Sequence, residues 1–146
     1  PYGFAGRGRR PLAGPLSAAE EAWIVASLRP GDGLLLEPRV PIALDAALHG
    51  WLARSGDTRL GEPTVQRCDA HGAWLGTARA ADELLLHEAA ALRAAAVSAA
   101  TALRGAGYFG PFGIDGYRRN DGAFVALSDL NARFTMGWAV GMGGPP

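Results

Sequence analysis

Lysine is missing from this 146-residue chain, so its 14 basic side chains are all arginine. They balance 14 acidic ones, and a formal net charge of zero gives no electrostatic case for nucleic acid or an anionic membrane as partner. Cysteine occurs once, at Cys68, which excludes an internal disulfide and points to a reducing cytoplasm. No secretory signal pattern is visible, and no long charge-free apolar run exists. The nearest candidate, Leu84 to Leu103, is mostly alanine and carries His87, Glu88 and Arg93, so it is expected as a packed helix and not a membrane span. His49, His71 and His87 have no metal-ligand spacing, and no internal repeat is apparent.

What is present is a hydrophobic fraction of 49%, enough for a core, at the length of one domain. Ser17-Ala-Ala-Glu20 is a capping box, followed by a helix with Trp23, Ile24 and Leu28 on its apolar side and a stop at Arg29-Pro30-Gly31. Leu34 to Leu36 predicts a buried strand that runs into Glu37-Pro-Arg-Val40, where Pro38 ends it or places it at an edge. Three strands are expected between Pro41 and Ala80: Ile42 to Leu52, then a hairpin of Pro63 to Cys68 and Ala73 to Ala78 turning at 69–72, with 54–59 a polar loop. Asp82 is the expected cap of a long helix whose face carries Leu85, Leu92, Ala96, Ala99 and Leu103 and which ends at Gly105 and Gly107. Tyr108 to Phe112 is read as core, Phe134 to Trp138 as a segment able to approach substrate, and 143–146 as a fraying end. This element order is α+β, an antiparallel sheet with helices packed on one face.

The chemistry concentrates in residues 113–133. Asn120-Asp121-Gly122 is a short turn with glycine last, flanked by two strand-like segments, and so predicts a β-hairpin. Alternation along the second strand sends Asp129, Asn131 and Arg133 to one face. If Arg119 pairs with Ala123, Asp115 falls opposite Leu127, diagonal to Asp129 and on that same face. Aspartate and asparagine are depleted in strands, and two carboxylates with an amide oxygen make a hard, oxygen-only donor set that suits Mg²⁺. Arg133 cannot ligate a metal but can hold an anion beside one. The competing reading is a solvated strand face.

Asp115 followed by Asp129-Leu-Asn131-Ala-Arg133 resembles the metal-binding end of the ATP-grasp superfamily, where an acidic residue precedes a Glu/Asp-x-Asn motif. The resemblance implies that Asp115, Asp129 and Asn131 hold Mg²⁺ against ATP phosphates and that Arg133 helps bind the acyl phosphate. Aspartate stands where glutamate is commoner in the family, shortening the reach by one methylene. Gly6-Arg7-Gly8 is similar to the family's glycine-rich loop over the phosphates. Glu37 and Val40 match its adenine- and ribose-contacting hinge, although an ordinary strand exit fits those residues too, and Asp45 matches a ribose-binding acid. In the family a strand with a phosphate-binding lysine precedes the loop, and neither is present here. The resemblance therefore implies a partial ATP-grasp domain over 1–146, the C-terminal part of a ligase that joins a small carboxylate to an amine or similar nucleophile. The alternative from the same residues is a nucleotide-binding or interaction domain that keeps the fold without catalysis.

Overall fold

The serine and glutamate of the capping box close on each other as their spacing demands. In the computed structural model, which describes residues 10–28, 33–69 and 74–144, Glu20 N–H donates to Ser17 Oγ at 3.3 Å and Ser17 N–H donates to the Glu20 carboxylate at 2.7 Å. They start helix α1, Ala18–Ser27. This helix belongs to the first of two units, Pro1–Val40, while everything from Pro41 onward forms the second. The stop expected at 29–31 lies outside the described residues.

Within the first unit one expectation is overturned. Leu34 to Leu36 has no regular secondary structure and is not buried, with Leu35 and Leu36 each 84% exposed. Three consecutive leucines offer hydrophobicity without alternation, and Pro38 withholds a ladder donor just beyond them. No strand among the described residues pairs with this segment.

The second unit is built on one antiparallel sheet of six strands: β1 (Ile42–Leu52), β2 (Thr58–Leu60), β3 (Thr64–Cys68), β4 (Trp74–Arg79), β5 (Gly110–Arg119) and β6 (Phe124–Asn131). Their order is β4-β3-β1-β5-β6, with β2 paired to the end of β1. The short β2 lies partly in the stretch expected as loop. Gly56, at φ +94°, lets the chain turn back so that Ala53 N–H bonds Asp57 C=O at 2.8 Å, and that closure delivers Arg59 opposite Trp51.

Helix α2, Leu86–Gly105, covers one face of the sheet. Leu92, Ala96 and Ala99 meet Leu44, Ala46 and Leu48 of β1, Val65 of β3 and Ile114 of β5, all of them buried. The same alternation that turns these residues inward turns their neighbours to the opposite face. The helix starts three residues later than a cap at Asp82 predicts. Ala81 takes φ +41°, Glu83 N–H bonds Ala80 C=O and the Glu83 side chain pairs with Arg67 at 2.7 Å, so 80–85 is spent on a turn. The cap is supplied instead by Glu88, whose carboxylate accepts from Leu85 N–H at 2.8 Å. Leu85 is consequently exposed and not part of the core face. A short helix α3, Trp138–Met142, was not legible in the sequence and buries Trp138 and Met142. Phe112 is core as expected, whereas Phe109 is exposed.

Candidate functional site

The hairpin closes through the expected turn: Arg119 N–H bonds Ala123 C=O at 2.8 Å, and Gly122, at φ +87°, returns its N–H to Arg119 C=O at 3.0 Å. That pairing extrapolates to Asp115 opposite Leu127, but the observed partner of Asp115 is Asp129. The register shifts between Asp115 and Tyr117, where Gly116 faces an irregular stretch of β6. A Cβ on Gly116 would lie 2.6 Å from the carbonyl oxygen of Val125, so only glycine fits there. Because the shift is by two residues, parity survives, and Asp115 stays on the face of Asp129 and gains a direct in place of a diagonal pairing.

On this face the side chains converge. Asn131 Nδ2 donates to Asp115 Oδ2 at 3.1 Å and to Asp129 Oδ2 at 3.2 Å, and Gln66 Nε2 donates to Asp115 Oδ1 at 2.9 Å. Gln66 comes from β3, directly opposite Asp45 on β1. Sequence reasoning missed Gln66 because its role follows from a strand pairing and not from any motif. Asp45 lies on the same face, and its carboxyl is pushed up by burial. The Asp115 carboxyl is raised to about 6, first by burial and then by the facing Asp129 charge, against the opposing bonds from Gln66 and Asn131.

Arg133 departs from the strand argument. β6 ends at Asn131 and Arg133 sits in the bend beyond it, exposed, so alternation no longer fixes its direction. Among the described residues its guanidinium contacts only its neighbour, Phe134 C=O, at 3.5 Å. The Gly6, Arg7 and Gly8 loop lies outside the described residues. Glu37 and Val40 belong to the first unit, in a segment without regular structure, Glu37 exposed and Val40 half-buried.

Next along the same face stands His49, buried on β1. Its Nε2 lies 3.3 Å from Thr64 Oγ1 and its Nδ1 lies 3.1 Å from Thr135 Oγ1. Thr64 spends its own proton on Ala47 C=O at 3.2 Å. It must therefore accept from Nε2–H, which leaves Nδ1 to accept from Thr135 O–H; burial, lowering the ring to about 4, keeps it neutral.

Among the described residues no three His, Cys, Asp or Glu side chains stand together to hold a metal ion, and no helix is long and apolar enough to cross a membrane. The Asp115 and Asp129 carboxylates are hard oxygen donors that could hold a magnesium ion beside water and phosphate, with the Asn131 amide joining them only if it turns its oxygen inward.

No protein-family model matches the chain, and no curated protein matches it in sequence. Among solved structures it is similar to the N5-carboxyaminoimidazole ribonucleotide synthetase from Thermus thermophilus, with a TM-score of 0.59 and 19% identity over 80% of this chain. The fold is ATP-grasp-like. The chain spans 31% of that synthetase's length.

Proposed function

We propose that the polar face of the sheet is the metal and phosphate end of an ATP-grasp ligase, which activates a small carboxylate as an acyl phosphate for attack by an amine or similar nucleophile. The observation that supports this most is the direct opposition of Asp115 and Asp129 with the Asn131 amide between them. Two carboxylates so placed, without a basic side chain paired to either among the described residues, are short of positive charge. The similarity to a synthetase adds to this reading at the level of fold.

Asp115, Asp129 and Asn131 would hold Mg²⁺, with Asn131 turning its amide oxygen inward. When bound, the ion neutralises phosphate charge during phosphoryl transfer. Gln66 orients Asp115 by holding one of its oxygens. Arg133, free to swing toward an anion, takes the acyl phosphate or the transferred group. Gly6 to Gly8 are assigned to the phosphates, and Glu37, Val40 and Asp45 to adenine and ribose, on resemblance alone. No nucleophilic side chain is required of this chain, and catalysis is positioning and charge stabilisation. The 146 residues by themselves are expected to bind nucleotide weakly without turnover, since no lysine reaches the phosphates.

The test is Mg²⁺-dependent ATP binding and turnover by the intact protein against Arg133→Ala. A loss of roughly 10²-fold in turnover with ATP affinity kept supports the ligase reading. Nucleotide binding without turnover in the wild type selects the non-catalytic nucleotide-binding domain, and absence of binding removes both.

A further inference from the structure

His49 is on the polar face, yet nothing in the reaction above uses it. Its ring occupies a slot made by three glycines from two elements, β5 and α3. A Cβ on Gly113, its cross-strand partner, would come within 2.9 Å of Nδ1; one on Gly137 within 2.9 Å of Nε2; one on Gly141 within 2.6 Å of Cδ2. Gly113 is on β5, Gly137 caps α3 and Gly141 lies inside it. The chain thus gives up three side chains around one imidazole, more than a space-filling residue would call for.

The ring's two nitrogens bond different segments, Thr64 on β3 and Thr135 in the stretch that follows β6. Thr135 follows Arg133 by two residues, at most about 7 Å of backbone. A second tie lies three residues on, where Trp138 Nε1–H donates to Gly50 C=O at 3.2 Å, and Phe134 packs edge-on against Trp138 with centroids 4.9 Å apart. The segment carrying Arg133 is therefore fastened to β1 at consecutive residues, 49 and 50, while the Arg133 side chain has no anchor among the described residues other than its neighbour's carbonyl.

We infer that His49 is a positioning residue: by bridging Thr64 and Thr135 it fixes the segment 133–137 to β1 and so sets where Arg133 stands relative to Asp115, Asp129 and Asn131. The clamp needs an acceptor toward Thr135 and a donor toward Thr64, which a neutral imidazole in its Nε2–H form supplies at once. The role of Arg133 rests on the ligase reading, but the clamp itself does not.

The experiment compares His49→Leu, Thr135→Val and His49→Gln in the intact protein by amide hydrogen exchange and by steady-state kinetics. Thr135→Val, which removes one half-buried hydroxyl, keeps the test open if His49→Leu fails to fold. Both disrupting variants are expected to speed exchange of the Trp138 and Gly141 amides, which donate to Thr135 and Gly137 C=O, by roughly 10-fold or more while 125–131 stay protected. Turnover should fall by ~10-fold with the ATP KM within ~2-fold, and His49→Gln, which retains a donor and an acceptor, should recover part of both effects. Unchanged exchange at the Trp138 and Gly141 amides, or an increase spread evenly over β1, β3 and β5, overturns the inference and leaves His49 as a packed core residue. Should Arg133→Ala be silent in turnover, the ligase reading fails, and the exchange measurement still decides the clamp.

Discussion

The two faces of the sheet are made from the same strands and differ by one residue of register, and each takes a carboxylate out of water in a way that the other does not. On the covered face Glu88 of α2, fully buried, meets the Arg118 guanidinium of β5, which with the Leu85 N–H bond holds its carboxyl below the usual range despite burial. On the open face Asp115 has only amide donors, from Gln66 and Asn131, and a second carboxylate opposite, and it is raised to about 6. Burial is common to both. The difference is a cation supplied from within the chain in one case and not in the other, so the first carboxylate is finished structure and the second is suited to a charge from outside.

The largest effect should come from the covered face. Leu92→Ala empties a site at the centre of the α2 interface, next to Ala96, Leu48 and Ile114, and should cost about 3 to 4 kcal/mol of stability, read as the shift in the urea midpoint at unchanged slope. It should leave metal and nucleotide affinity of the folded fraction unaltered. A loss confined to binding would mean that the two faces are not separable in this way.

The open face should behave in the reverse sense. In the intact protein, Asp129→Ala and Asn131→Ala are each expected to lower ATP turnover by at least roughly 10²-fold, because lost positioning of the phosphoryl group acts on the transition state. Melting temperature should move little, since Asp129 is exposed and the bonds lost with it are solvent-accessible. Near-normal turnover in both variants, with unchanged melting, would make this face a solvated strand surface.

How much of this contrast was legible in the sequence follows from which forces are local. The Ser17 and Glu20 cap, the turn at 120–122, the span of β1 and the alternation of Asp129 with Asn131 depend on neighbours a few residues apart, and they stand as expected. What escaped was decided across the sheet. Gly116 gives no sign in the sequence that it faces Val125 C=O, yet it fixes the register that brings Asp115 opposite Asp129. Gln66 and Thr64 owe their places to the pairing of β3 with β1, and Glu88 displaced Asp82 as the helix cap because the intervening turn is held by Arg67 and Glu83. The leucines at 34–36 show the opposite failure: hydrophobicity without periodicity promised a strand that no partner completes among the described residues.

The smallest effect, and the sharpest comparison, is in the pH dependence of the open face without divalent metal. Asp115 holds its proton up to about pH 6 when folded, against an ordinary value of 3.8. Through that window the folded chain binds more protons than the unfolded one, so stability falls as pH rises, and above pH 6 the whole penalty is present. A rise of that size, discounted for partial exposure, corresponds to on the order of 2 kcal/mol. His49 works against it: its pKa drops from 6.5 to about 4, so between those values the unfolded chain binds the extra proton and stability rises with pH. The wild type should therefore show a nearly flat stability from about pH 4 to 6. Asp115→Asn, which keeps an acceptor for Gln66 and lets the Asn131 amide flip, should be more stable than wild type at pH 7 and should show a steeper rise of stability from about pH 4 to 6, to which His49 contributes. Adding Mg²⁺ at pH 7 should stabilise the wild type and not the variant, because an ion that binds only the folded state offsets the repulsion that Asp115 otherwise carries. Equal stabilisation of both proteins by Mg²⁺ would show that the ion binds elsewhere, and a wild type as stable as Asp115→Asn in its absence would show that no charge is missing from this face.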